Sequence, residues 1–217
     1  MECQNKKTAR IAGLWWLLFC LIGPISYVVV DGKLLVPGDG AATIANIHAN
    51  LALFWVGVVA FLAGYFCFIL LAKSLCKLFN PVNSKLTKWM MGLVITGTAL
   101  VLMGKAAEII AANVSHTEDA IGLLNLRTNI EMAGELFWGL WLIPLVILIF
   151  KSNFIPKIVG GALLCATVYH LVAFGAFFIT GTDVSTNPAL VILGFGEFIM
   201  VFWLLIKGVK REQENEP

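Results

Sequence analysis

Long apolar runs follow one another along the chain, separated by short polar breaks. Six segments, roughly 10–30, 43–72, 87–112, 127–150, 156–180 and 189–206, are each long enough for one bilayer crossing, which takes about 20 residues. The breaks carry helix punctuation. Pro37-Gly38-Asp39-Gly40 reads as a turn, with Thr43 as a cap for the second helix. Asn80-Pro81 stops the chain, and Ser84 can cap the third helix. Asn153 precedes Pro156, and Asn187-Pro188 reads as an N-cap with proline at the first helical position. Pro24 and Pro144 lie inside spans and are expected to bend them. The pattern predicts an all-α polytopic membrane protein. It is a six-helix bundle in one domain over 1–210, followed by a short solvated tail at 211–217.

Composition supports this class. Of 217 residues, 59% are apolar and 13% are charged, about half the charged share of a soluble domain. The net charge of +2 gives no reason to expect nucleic acid as a partner. The bilayer is the evident partner. There is no Gly-rich phosphate loop, no CxxC and no HExxH, so no cofactor is indicated. Cys3, Cys20, Cys67, Cys76 and Cys165 lack the spacing of a zinc site or a disulfide framework, and read as small apolar filler. The start, Lys6-Lys7-Thr8-Ala9-Arg10, resembles a signal peptide. The run Ile11–Val30 exceeds a signal h-region, so a retained first helix is expected.

Charge placement sets an orientation. With the N-terminus in the cytoplasm, the inner side holds 12 of the 15 Lys and Arg residues, and only Lys33, Lys105 and Arg127 fall elsewhere. Both termini are therefore expected inside, in a plasma membrane. The intramembrane polar residues then converge in depth on the outer half. These are Asn46, His48 and Asn50 on the second helix, Lys105 and Glu108 on the third, and Arg127, Glu131 and Glu135 on the fourth. Tyr169 and His170 follow on the fifth and Glu197 on the sixth. That is the pattern of a cavity opening outward.

The chemistry centres on the stripe Arg127, Glu131 and Glu135, spaced by four and stacked on one side of a helix. Arg127 with Glu131 reads as an interfacial ion pair, and Lys105 with Glu108 as a local pair. Glu135 lies deeper, and Glu197 has no basic neighbour in sequence. Deep intramembrane acids are costly and mark function. Trp138, three residues past Glu135, would place an indole beside a carboxylate, which suits an organic cation. His48 and His170 could be satisfied core histidines. They could also form a metal shell with two of Glu108, Glu131, Glu135 and Glu197, although no spacing motif supports it. His116 reads as solvated. Asn113-Val114-Ser115 matches a glycosylation acceptor. Small residues at four-spacing, Ala60 with Gly64 and Ala107 with Ala111, read as helix contacts.

An internal echo is also present. Gly134-Glu135-Leu136 leads to Trp141-Leu142-Ile143, and Gly196-Glu197-Phe198 leads to Trp203-Leu204-Leu205 at the same spacing. Arg10-Ile11-Ala12-Gly13 echoes Lys157-Ile158-Val159-Gly160. This is compatible with three related helical hairpins.

The segments KKTARIAG, GDGAATIANI, KSNFIPKIVGGALL and GEFIMVFWLLIKGVK, in this order, resemble a prokaryotic multi-pass membrane family, domain of unknown function 4386. The resemblance implies a small multi-helix plasma-membrane protein and supplies no activity or substrate. The family's Gly-Glu before a final Trp-Leu-Leu corresponds to Gly196 and Glu197.

Three functions stay open. The first is a binding or transport-type protein whose outward-opening cavity takes a cationic or protonatable small molecule, or a proton. Its ligand set would be Glu135, Glu197, Glu131, His170, His48, Glu108 and Trp138. The second is an intramembrane enzyme with a His/Glu site, with or without metal. The third is a structural or regulatory membrane subunit.

Overall fold

A computed structural model describes residues 2–36, 38–114 and 116–209, with residues 2–4 described in backbone only. The side chain of Cys3, and Pro37, Ser115, Lys210 and the tail from Arg211, lie outside the described residues. Those described are helical, without strands. Among them, six helices are long and apolar enough to cross a membrane. We label the helices α1 (Asn5–Leu34), α2 (a short one, Gly40–Ala49), α3 (Leu51–Phe79), α4 (Ser84–Ala111), α5 (Thr117–Lys151), α6 (Lys157–Thr180) and α7 (Pro188–Lys207).

Most expected punctuation is present, sometimes shifted by a residue. Asn187 Oδ1 accepts from the Ala189 backbone N–H, with Pro188 opening α7. The cap of α4 is Asn83, whose Oδ1 accepts from the N–H groups of Lys85 and Leu86; Ser84 is already helical. The second span begins later than expected, because α2 stands apart from α3. Asp39 caps α2, and the chain breaks at Asn50, with φ −133° and ψ 44°. Thr43, expected as the cap, instead bonds the backbone of Val36 and Asp39. Asn46 and His48 thus belong to α2, and Asn50 to the break that follows it.

The first span runs past its expected end at residue 30. It is α-helical to Pro24, π-helical over Ile25–Asp31, and α-helical again to Leu34. Proline has no N–H to give the preceding turn, and the ladder resumes after it with the wider π spacing. Pro144 is accommodated within α5. In α7 the helix is interrupted at Phe195 and ends in a π-turn over Trp203–Lys207.

The six long helices form a ring in chain order. Each packs on its sequence neighbour, and α7 closes the ring against α1. The two ends differ. The half that holds the start of α1 and the α3–α4 and α5–α6 connections has a solid interior. There Trp16 meets Trp141 at 5.6 Å across the ring, and Phe68 packs edge-on to Trp141 at 5.1 Å. Leu71, Leu75, Met90, Leu142, Leu145 and Met200 fill the rest of that half. The outer surface carries large apolar side chains on every long helix, for instance Val28, Val59, Trp89, Phe150, Ile158 and Ile192. Water would not favour such a surface, and lipid does. The described cysteines are free, and Cys76 donates to the Thr87 carbonyl.

Candidate functional site

The polar residues of the other half fall into two groups on different sides of the ring. The first joins α1, α4 and α5. Lys105 and Glu108 face each other from one turn of α4, with Nζ to Oε2 at 2.7 Å. Arg127 of α5 reaches Glu108 through Nε at 2.6 Å and Glu131 at 3.1 Å, and also pairs with Asp31 of α1. Lys105 lies 3.9 Å from Asp31 and 4.9 Å above the Phe61 ring. Lys105, Glu108, Arg127 and Asp31 are all buried. Three acids meet two bases here, which leaves one negative charge when all are ionised. Neither Arg127 Nε nor Glu131 Oε1 makes a well-angled hydrogen bond, so these two contacts are ion pairs rather than directed bonds.

The expected ion pair of Arg127 with Glu131 is present, and it is part of a larger buried cluster. Arg127 is 5% exposed and encircled by three carboxylates. Buried charge is tolerable only when paired in this way. Asp31 is the residue that sequence reading missed. It follows an apolar run and sits one residue past the expected helix end, where an acid reads as solvated. Only its neutralisation by Arg127 and Lys105 lets α1 carry it inside.

The second group joins α5, α6 and α7. His170 lies on the middle helix of the three. Its Nδ1 is 2.7 Å from Glu135 Oε2, and its Nε2 is 3.0 Å from Glu197 Oε1. Glycines allow this convergence. A Cβ at Gly139, one turn past Glu135, would stand 2.9 Å from the Leu171 side chain of α6. A Cβ at Gly196 would stand 1.9 Å from the Ala162 backbone oxygen. So α7 rests directly on the α6 backbone, and the next residue, Glu197, is delivered to His170. Gly134 plays the same part before Glu135, since a Cβ there would meet Val101 of α4 at 2.7 Å. The repeated Gly-Glu in the sequence thus has a packing meaning: a contact without a side chain, then an acid turned inward.

Between the two groups lies a cavity of about 320 Å³. Glu131, Glu135, His170 and Glu197 form one wall, and Phe19, Tyr27, Tyr65, Phe68 and Trp138 supply aromatic surface. Trp138 stacks on Tyr65 at 5.7 Å, meets Phe68 edge-on at 4.5 Å, and lies 5.7 Å from Phe19. The Tyr27 and Tyr65 hydroxyls are 3.1 Å apart. A family model, Domain of unknown function (DUF4386), matches residues 11–208. The chain belongs to this family. No curated protein and no solved structure matches it.

Of the seven ligand candidates, this DUF4386 member brings five to the cavity: Glu131, Glu135, Trp138, His170 and Glu197. Two go elsewhere. His48 donates from Nε2 to the Ala112 carbonyl at 2.8 Å, at the C-terminal end of α4. Glu108 is committed to Lys105 and Arg127. The expectation of a shell shared by His48 and His170 fails on the same ground. Among the described residues, no three His, Cys, Asp or Glu side chains are arranged to hold a metal ion. His116 is exposed in the connection before α5. Tyr27, Tyr65, Phe19 and Phe68 are further lining residues missed from sequence. Their signal was present, since a tyrosine hydroxyl inside an apolar run needs a partner, but nothing in the sequence says where it points.

Proposed function

We propose that this DUF4386 protein binds a small organic cation in the cavity, as a binding or transport-type protein of the plasma membrane with the cavity opening outward. One observation carries the reading: three carboxylates and an aromatic surface line the same space. Carboxylates supply charge attraction, and ring faces attract a cation that has shed its water. The volume lies at the low end for small-molecule sites. The charges also favour a positive occupant. Glu131 is held by Arg127, whereas Glu135 and Glu197 share a single imidazole.

The placement of lysines and arginines supports a cytoplasmic location for the solid half and for both termini. The same placement supports reading the cavity as an outward vestibule.

The test uses purified protein in lipid nanodiscs, titrated calorimetrically with choline, tetraethylammonium and phenyltrimethylammonium. At least one of these is expected to bind, and the uncharged carbon isostere of choline is not. Glu135→Gln and Glu197→Gln should each weaken binding by about tenfold or more, equivalent to about 1.4 kcal/mol. Affinity unchanged in both variants, with folding intact, would overturn the reading.

A further inference from the structure

We propose that Glu135, His170 and Glu197 together hold one exchangeable proton, and that a cation entering the cavity displaces it. The site would then exchange a cation for a proton. The exchange rests on the cation reading above, whereas the proton stands on hydrogen-bond geometry alone.

A neutral imidazole has one N–H and one bare nitrogen, and an ionised carboxylate only accepts. In the triad both ring nitrogens meet a carboxylate oxygen at hydrogen-bond distance, 2.7 Å and 3.0 Å. Two such bonds need two protons, and a neutral ring brings one. The second sits either on the ring, as an imidazolium between two carboxylates, or on the carboxyl that faces the bare nitrogen. In both cases the triad carries charge −1 instead of −2. Without that proton, a nitrogen lone pair would face a carboxylate oxygen at contact distance, which is repulsive. The geometry is therefore that of the proton-loaded site.

Losing the proton to water takes the triad to −2 and opens one of the two contacts. A cation in the adjoining cavity restores the lost positive charge. The sum stays at −1 before and after, so the exchange moves no net charge into a low-dielectric space. Five other titratable groups surround the triad. Cys20 and Tyr27 come from α1, Tyr65 from α3, Glu131 from α5 and Tyr169 from α6. From α4 the lining residue is Val101, which does not titrate. Glu131 is engaged by Arg127, and a thiol or phenol that lost its proton would become a new buried anion. The triad is the group whose proton already sits between two carboxylates, so its loss adds one negative charge that the entering cation offsets.

The experiment has two arms. In ligand-free protein with nitrogen-15-labelled histidine, His48→Gln and His116→Gln assign the three signals. His170 is expected with both nitrogens protonated, or with one protonated and a carboxylic-acid infrared band that disappears in Glu135→Gln or Glu197→Gln. A neutral ring with no such band overturns the proton site. In the second arm, choline, tetraethylammonium and phenyltrimethylammonium, none of which can donate a proton to the site, are added in weak buffer with a pH indicator. About one proton released per bound cation is expected, and His170→Gln abolishes the release. Binding without release overturns the exchange alone. No binding by any of the three, with the proton found in the first arm, overturns the exchange together with the cation reading.

Discussion

The two charged groups differ in completeness. On the α1–α4–α5 side, Asp31, Lys105, Glu108 and Arg127 are buried and face one another in a closed set. On the α5–α6–α7 side, two acids share one imidazole, and all three side chains stay 14–22% accessible beside a cavity. The first group holds helices together, and its one surplus negative charge can reach a ligand only through Glu131, the member that lines the cavity. The second has unspent charge and room next to it. Glu131 belongs to both, paired with Arg127 while lining the cavity. Burial of a charge therefore does not by itself mark a site; what marks it is charge left over after the neighbours have been counted.

Removing Arg127 should give the largest effect. Arg127→Gln leaves three acids facing Lys105 alone, and breaking a buried pair costs about 3–5 kcal/mol. Thermal unfolding in nanodiscs should show it as a large drop in Tm. The double variant Arg127→Gln/Glu131→Gln restores the group's net charge of −1 and should recover part of that drop. Full recovery, or none, would show that the group is not held by charge balance.

Next in size is Gly196→Ala. Its Cβ would collide with the Ala162 oxygen, and overpacking of this kind costs about 1–3 kcal/mol. It should also pull Glu197 off His170, so cation affinity falls along with stability. Glu135→Gln and Glu197→Gln sharpen the contrast from the other side. Each should change stability by about 1 kcal/mol, because the amide keeps a hydrogen-bonding group beside His170, yet lower affinity about tenfold. The smallest effect is expected for His48→Phe. Loss of its bond to Ala112 should cost about 1 kcal/mol and leave cation binding unchanged. A binding defect there would mean that the cavity extends to α2.

The sequence made depth legible and azimuth illegible. Hydropathy and the distribution of lysine and arginine place a residue along a span, so the six long helices were readable, as was the gathering of polar residues in one half. Which way a side chain faces needs a polar–apolar periodicity, and a helix surrounded by lipid and apolar neighbours shows little of it. His48 and Glu108 were grouped with the cavity residues because they share their depth, yet they face elsewhere. Asp31 was invisible for a related reason, since its partners arrive from positions 74 and 96 residues further along the chain. The pairing of Glu135 with Glu197 was partly readable, through the repeated Gly-Glu, and His170 stood among the candidates, but its place between the two acids was not readable.

The three glycines that shape the site differ in what opposes them. At Gly134 and Gly139 the obstacle is a side chain, Val101 or Leu171. A methyl gained there can be offset by trimming the opposing residue, for instance Gly134→Ala with Val101→Ala. At Gly196 the obstacle is the peptide oxygen of Ala162, which every amino acid carries. No second-site change of side chain on α6 can make room for it. Drift at this position is closed to the paired substitutions that let most packed interfaces wander. Only displacement of a whole helix would open it, and that displacement would dismantle the triad with it.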